Sequence, residues 1–101
     1  MEHHPETDEL PDLSYLNVVG PNGETVGRVV HFVAPGRPAN ERQRATPPQL
    51  LAATIIGIDA RGPMLMIFSP RLSDHYGLMD APFSPVLREG HWSWPARVEK
   101  P

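Results

Sequence analysis

The chain has 101 residues, of which 40% are hydrophobic, 13 are proline, 8 are glycine and none is cysteine. This length supports one domain with a modest core, and the proline content indicates that much of the chain lies in loops. The net charge of −3 argues against nucleic-acid binding through a strongly basic surface. The lack of cysteine excludes disulfides and thiolate sites, and no stretch is typical of a signal peptide or membrane span. We therefore expect a soluble cytoplasmic protein without a membrane partner.

Residues 1–12 differ in composition from the rest of the chain. They hold two prolines, few apolar residues and five acids, Glu2, Glu6, Asp8, Glu9 and Asp12. Such a segment buries too little apolar surface to fold by itself. The sequence predicts a disordered acidic segment at 1–12 and a single domain at 13–101.

A β-hairpin is predicted directly after the acidic segment. Residues 14–19 alternate in polarity, and residues 20–23 read Gly-Pro-Asn-Gly, which is turn chemistry. Residues 25–33 are rich in β-branched side chains. The next segment, 35–48, contains four prolines and three arginines, which predicts a long exposed loop.

Two buried strands are predicted in the middle of the chain. The periodicity of residues 50–59 fits a strand or a short helix, but its isoleucines and Gly57 favour a strand. A turn at 59–63 leads to a second apolar run at 64–69. The two runs therefore form an expected second hairpin.

The last third of the chain contributes fewer elements. Residues 70–88 are irregular, with one short strand expected near 82–87, and residues 90–98 form the last strand. The total is five or six antiparallel strands without a helix. So few strands cover one core best by closing on themselves, so we expect an all-β, five- to six-stranded antiparallel barrel of the SH3-like or OB-like kind.

Both tryptophans lie within three residues, in the run Glu89-Gly90-His91-Trp92-Ser93-Trp94-Pro95. In a strand, Trp92 and Trp94 share one face, and His91 and Ser93 share the other. The tryptophan pair either packs into the core or forms a stacking platform for a base, a contact that contributes about 1–3 kcal/mol per base. The sequence leaves both interpretations, core packing and ligand stacking, open.

Histidines are the next candidates for a site. His31 is either a half-buried strand residue or a hydrogen-bond donor to a ligand, beside His91 if the first and last strands pair. With His75 a three-histidine metal site is conceivable, but no metal-ligand spacing supports it. Ser73, Asp74 and His75 are adjacent in sequence and so do not face one another as a catalytic triad. We therefore predict no enzyme activity, no metal and no cofactor.

Three arginines, Arg37, Arg42 and Arg44, lie in the proline-rich loop beside Glu41. Solvated loop charges are the simpler interpretation. If the loop covers the tryptophan face, the guanidinium groups become available for bidentate contacts with phosphate or carboxylate. Indole and arginine together then form an anion-binding site.

Four segments of the chain form a recognisable pattern in order across about residues 26–98, namely Val26–Val33, Ala52–Ile56, Leu65–Pro70 and Gly90–Pro95. With them, the chain resembles a family of small, mostly uncharacterised proteins of bacteriophages that infect high-GC actinobacteria. That family opens its domain with a G-x-x-V-H-Y/F strand and closes it with glycine followed by W-x-W-P. This chain differs in lacking a cysteine before Ala52 and in the segment after Pro70. The resemblance carries no settled activity, but it implies a phage or prophage origin, location in the host cytoplasm and action on a host component.

Three functions follow as hypotheses. The first is a non-enzymatic counter-defence protein that sequesters a small anionic ligand, such as a nucleotide immune signal, by tryptophan stacking and arginine contacts. The second is a protein-interaction module that inhibits a host or phage protein. The third, a nucleic-acid-binding barrel, is disfavoured by the net charge, although five of the twelve acids lie in the first twelve residues. Because a small barrel offers little concave surface, we also expect a homo-oligomer.

Overall fold

The protein folds as one antiparallel sheet of five strands. The structure is a computed structural model that describes residues 10–70 and 75–96. Its elements are a 3-10 helix at Ser14–Leu16 and strands β1 (Val29–Ala34), β2 (Gln49–Asp59), β3 (Gly62–Phe68), β4 (Tyr76–Leu78) and β5 (Trp92–Ser93). The strand order is β4-β3-β2-β1-β5. The predicted all-β class is confirmed.

One face of the sheet forms the core. The strand period of two places Val30, Phe32, Ala53, Ile55 and Ile67 on this face, and all five are buried. Their registers agree, since Val30 lies opposite Ala53, and Ala53 lies opposite Ile67. The core therefore lies on one side of the sheet, and we call the opposite side the outer face.

The predicted strands at 50–59 and 64–69 are confirmed as β2 and β3. They pair along their length, with a register shift between Ile55 and Gly57. At Gly57 a Cβ atom would meet the terminal methyl group of Met64, so the glycine lets this methionine side chain lie over the irregularity in β2. The turn between them leads into Gly62, the first residue of β3, at φ +129°, a conformation that glycine adopts without strain.

The sheet is curled but does not close into a barrel. On the far side of β5, Ser84 N–H donates to the Trp92 carbonyl and Trp92 N–H donates to the Pro82 carbonyl, both at 2.9 Å. The four residue steps from Leu78 to Pro82 span at most about 14 Å. Five strand spacings across a flat sheet cover about 24 Å, so the sheet must curve strongly. Within the described residues β4 does not pair with β5, and the expectation of closure by strand pairing is corrected accordingly.

The predicted strand at 14–19 is wrong. Residues Ser14–Leu16 form a 3-10 helix that buries none of its side chains. The Asp12 carboxylate accepts hydrogen bonds from both the N–H and the hydroxyl of Ser14. Such local side-chain bonds offer the backbone an alternative to a sheet ladder. The first strand consequently begins at Val29.

The predicted turn at 20–23 is present and is closed by a buried carboxylate. Gly20 N–H donates to the Glu24 carbonyl at 2.8 Å, and Gly23 N–H donates to the Gly20 carbonyl at 3.1 Å. The Glu24 side chain is 1% exposed, and its Oε1 accepts the Asn22 N–H at 2.6 Å. The turn is therefore a fixed part of the domain.

The remaining element predictions are met in part. The loop at 35–48 is irregular apart from one bridge between Arg37 and Thr46. Strand β4 was not predicted, the expected strand at 82–87 is a single bridge at Phe83, and the last strand covers only Trp92–Ser93. The predicted disordered segment lies mostly outside the described residues, as do Ser73 and Asp74 of the discounted triad.

Candidate functional site

Trp92 belongs to the core. It pairs with Phe32 on the core face and is 0% exposed. Its ring lies 4.8 Å from the Phe83 ring and 5.5 Å from the Trp94 ring, centroid to centroid. These tilted and edge-to-face contacts are favourable aromatic geometries. Trp92 therefore has no free face for stacking, and the packing interpretation describes it.

Trp94 is partly exposed and held in place on several sides. Its indole N–H donates to the Asn22 carbonyl at 3.0 Å, and its ring meets Trp92 edge to face at 83°. The Arg28 guanidinium lies 4.8 Å from the Trp94 ring centroid, within the range of a cation–π contact. An indole–arginine pair is thus present, but its arginine precedes β1 and was not singled out from the sequence.

The loop arginines do not reach this indole. Arg37, Arg42 and Arg44 are exposed. Arg28 and Arg37 lie beyond opposite ends of β1, whose six residues span about 20 Å at about 3.4 Å per residue. The loop is held at its own end of the sheet, where the Gly36 N–H donates to Glu89 Oε1 at 2.7 Å. The structure therefore does not assemble the predicted site of tryptophans and loop arginines.

The histidines are also dispersed. The first and last strands pair as expected, but the residue opposite His31 is Ser93 and not His91. His91 Nδ1 is 2.8 Å from the Glu89 carbonyl. His75 Nε2 is 3.2 Å from the Ser69 carbonyl. Across residues 10–70 and 75–96, no three metal-ligating side chains form a cluster.

A cavity opens on the outer face where β1 meets β5. It has a volume of about 420 Å³ and is lined by His31, Leu50, Pro85, Val86, Leu87, Ser93, Trp94 and Ala96. We call it the outer cavity. Ser93 is 3% exposed, and its hydroxyl has no hydrogen-bond partner among the described residues. A buried polar group without a partner is uncommon in a folded protein, so the outer cavity is the main candidate site.

The wall formed by residues 85–87 is tied to the sheet. Ser84, which is 4% exposed, is bonded to Trp92 through its backbone. Its hydroxyl accepts the Val86 N–H at 3.3 Å. Proline at position 85 restricts the backbone between them further. The wall is therefore formed before any ligand arrives.

The lining of the outer cavity is mostly apolar, with Ser93 and His31 as its polar side chains. None of the described residues lining it is lysine, arginine, aspartate or glutamate. Ser93 and His31 lie opposite each other, but the Ser93 hydroxyl makes no hydrogen bond and so lacks the base contact that activates a nucleophile. The clear pKa shift in the described chain lies elsewhere: hydrogen bonds from the Ser14 hydroxyl and N–H lower the pKa of Asp12.

Of the predicted ligand-binding residues, the cavity brings His31 and Trp94 together. Sequence reasoning did not identify Leu50, Val86, Leu87 or Ser93 as site residues. For Ser93 the signal was available, because it alternates with Trp92 in the strand and so faces the side opposite to that core residue. The positions of Leu50, Val86 and Leu87 in the lining depend on how residues 85–87 pack against the sheet, which the sequence does not show.

Within the described residues there is no helix long and apolar enough to cross a membrane. Comparisons of the chain with protein-family models, curated proteins and solved structures found no match.

Proposed function

We propose that this chain is a non-enzymatic interaction module that docks on another protein through its N-terminal segment. The observation that carries the proposal is the exposure of residues 10–19, which we call the strap. Its large apolar side chains are between 49% and 74% exposed, namely Leu10, Leu13, Tyr15, Leu16, Val18 and Val19. The 3-10 helix within the strap buries nothing.

Apolar exposure of this kind supports a partner. Single exposed hydrophobic side chains are normal, whereas six in ten consecutive residues are typical of a surface that another molecule covers. The strap is continuous with the ordered turn at 20–24, so it is attached to the domain at a fixed point. A short apolar segment anchored in this way suits an apolar groove on the partner.

The acidic residues before and within the strap indicate the partner's chemistry. Five acids lie within residues 2–12, so a groove edged by lysine or arginine complements this end of the chain. The resemblance to actinobacterial phage proteins suggests that the partner is a host protein, and inhibition of that protein is the proposed consequence. Counter-defence is one role that this would serve.

Sequestration of an anionic nucleotide has less support than docking on a protein. Phosphate recognition calls for several cationic or N–H donors, and the expected arginines lie at the other end of β1 from Trp94. Arg28 is the cation placed on that indole. Nucleic-acid binding stays disfavoured by the net charge of −3.

Site-specific photocrosslinking tests the proposal. A photoreactive phenylalanine at position 15, on the strap, is compared with the same group at position 43 in the exposed loop. We expect one host protein to crosslink stoichiometrically from position 15 and not from position 43. Crosslinking of the chain to itself would identify a homo-oligomer instead, and equal labelling from both positions would contradict the proposal.

Two matched double variants provide the control. The strap variant is Leu16→Ser with Val19→Ser, at 61% and 66% exposure, and the cavity variant is Leu87→Ser with Val86→Ser, at 57% and 65%. Both exchange the same residue types at similar exposure. We expect the strap variant to abolish capture of the partner and the cavity variant to retain it, and the reverse result would reject the strap as the docking segment.

A further inference from the structure

We propose that the outer cavity binds a small, flat, uncharged molecule that carries a hydrogen-bonding group at one edge, such as an aromatic amide. This site is separate from the strap and does not depend on the strap's function. The inference rests on the cavity's size, on the unpaired Ser93 hydroxyl, on the neighbouring His31 and on the apolar walls.

The polar groups of the cavity stand side by side. His31 and Ser93 are directly opposite on paired strands, and such cross-strand neighbours have Cβ atoms about 4.5–5.5 Å apart. The serine hydroxyl can donate and accept, and the neutral imidazole offers one donor and one acceptor. Rotation about the Cα–Cβ bond of Ser93 turns its hydroxyl among staggered positions. One ligand carbonyl or amide edge can therefore meet both groups.

The remaining walls favour an apolar, flat body. Leu50, Val86 and Leu87 contribute aliphatic surface, and Trp94 contributes an indole. The indole is held by its hydrogen bond to Asn22 and by its contact with Trp92, so its orientation is set before binding. At about 420 Å³ the cavity falls in the lower part of the range of about 300–1,000 Å³ typical of small-molecule pockets.

Charge decides the ligand class. Among the described lining residues no fixed cation or anion is available to pair with a charged ligand. Transfer of an unpaired charge into an apolar site is strongly unfavourable. The cavity therefore favours uncharged molecules over anions, which differs from the anionic ligand expected from the sequence.

The test uses the full chain and a matched pair of probes, 2-naphthamide and 2-naphthoate, which differ in charge but little in size. Binding is followed in ¹H–¹⁵N correlation spectra, where the two indole N–H signals are assigned with Trp94→Phe. We expect 2-naphthamide to shift the Trp94 indole and the amides of His31 and Ser93. The carboxylate is expected to bind more weakly than the amide, because none of the described lining residues is a lysine or arginine.

Variants decide whether the proposed contacts bind the probe. Loss of one neutral hydrogen bond in Ser93→Ala is expected to weaken the amide about three- to tenfold. The cavity variant, Leu87→Ser with Val86→Ser, is expected to weaken it as well, whereas the strap variant is expected to bind normally. Equal or tighter binding of the carboxylate, unchanged affinity in Ser93→Ala, or no shift at millimolar probe would overturn the inference. Because the strap variant alone is expected to lose protein capture, the two proposals fail independently.

Discussion

Removal of the Ser93 hydroxyl is expected to stabilise the protein. Ser93 and Ser84 are both buried serines, at 3% and 4% exposure. The Ser84 hydroxyl accepts a hydrogen bond from the Val86 N–H at 3.3 Å, whereas the Ser93 hydroxyl has no partner among the described residues. Alanine therefore removes a hydrogen-bonded hydroxyl at position 84 and an unpaired hydroxyl at position 93.

The expected magnitudes follow from the cost of burying a polar group. An unpaired buried hydroxyl costs about 1–3 kcal/mol, and we take about 1 kcal/mol for Ser93 because a cavity adjoins it. Loss of the bond at Ser84 costs about 0.5–1.5 kcal/mol. For a domain of this size each kcal/mol shifts Tm by about 4–8 °C. Ser93→Ala is thus expected to raise Tm and Ser84→Ala to lower it.

Thermal and urea unfolding of the full chain, followed by far-ultraviolet circular dichroism, measure both variants on the same scale. Changes in stability of opposite sign in the two variants would support an unpaired Ser93 hydroxyl, which the proposed ligand site in the outer cavity requires. If both variants lose stability to the same extent, Ser93 has a partner in solution, and the reasoning about the cavity fails. A change in the slope of unfolding free energy against urea concentration in one variant would indicate that the substitution alters how much surface is exposed on unfolding, rather than acting locally.

Two further predictions concern the N-terminal part of the domain. Gly20→Ala places a methyl group against the buried side chain of Glu24, which is expected to lower the free energy of unfolding in urea by about 1–3 kcal/mol. Gly77→Ala is the control, because the nearest atom to its added methyl group lies at 3.9 Å. Equal losses of unfolding free energy in the two variants would refute the close contact at Gly20. Because hydrogen bonds from Ser14 lower the pKa of Asp12 below its ordinary value of 3.8, these hydrogen bonds to the ionised Asp12 carboxylate are present above that pH and are lost as the pH falls through the lowered value. The Ser14 amide signal in an NMR titration is expected to report this transition, which should vanish in Asp12→Asn.

The sequence predicted the central part of the sheet well. The isoleucines and threonine of residues 50–59, followed by turn chemistry at 59–63, favour a buried hairpin on local grounds alone. The same reasoning failed at residues 14–19, where alternating polarity suggested a strand. There the local hydrogen bonds from Ser14 to Asp12 replaced strand pairing, and the apolar side chains stayed exposed.

The site was predicted only in fragments. Trp94 and His31 were singled out from the sequence, and both line the outer cavity. The loop arginines were also singled out, but the direction of β1 places them at the far end of the sheet from Trp94. Arg28 was overlooked because its importance comes from its position over an indole that follows it by sixty-six residues.

Composition, turn chemistry and side-chain period by themselves determined that this protein is an all-β domain with a core of branched aliphatic residues. These properties depend on neighbours a few residues apart, which the sequence displays directly. Only the tertiary structure decided that Trp92 is buried while Trp94 is partly open, and that Ser93 and His31 lie side by side in the lining of one cavity. Those outcomes depend on strand register and sheet curvature, which arise from contacts between distant segments and have no local signature.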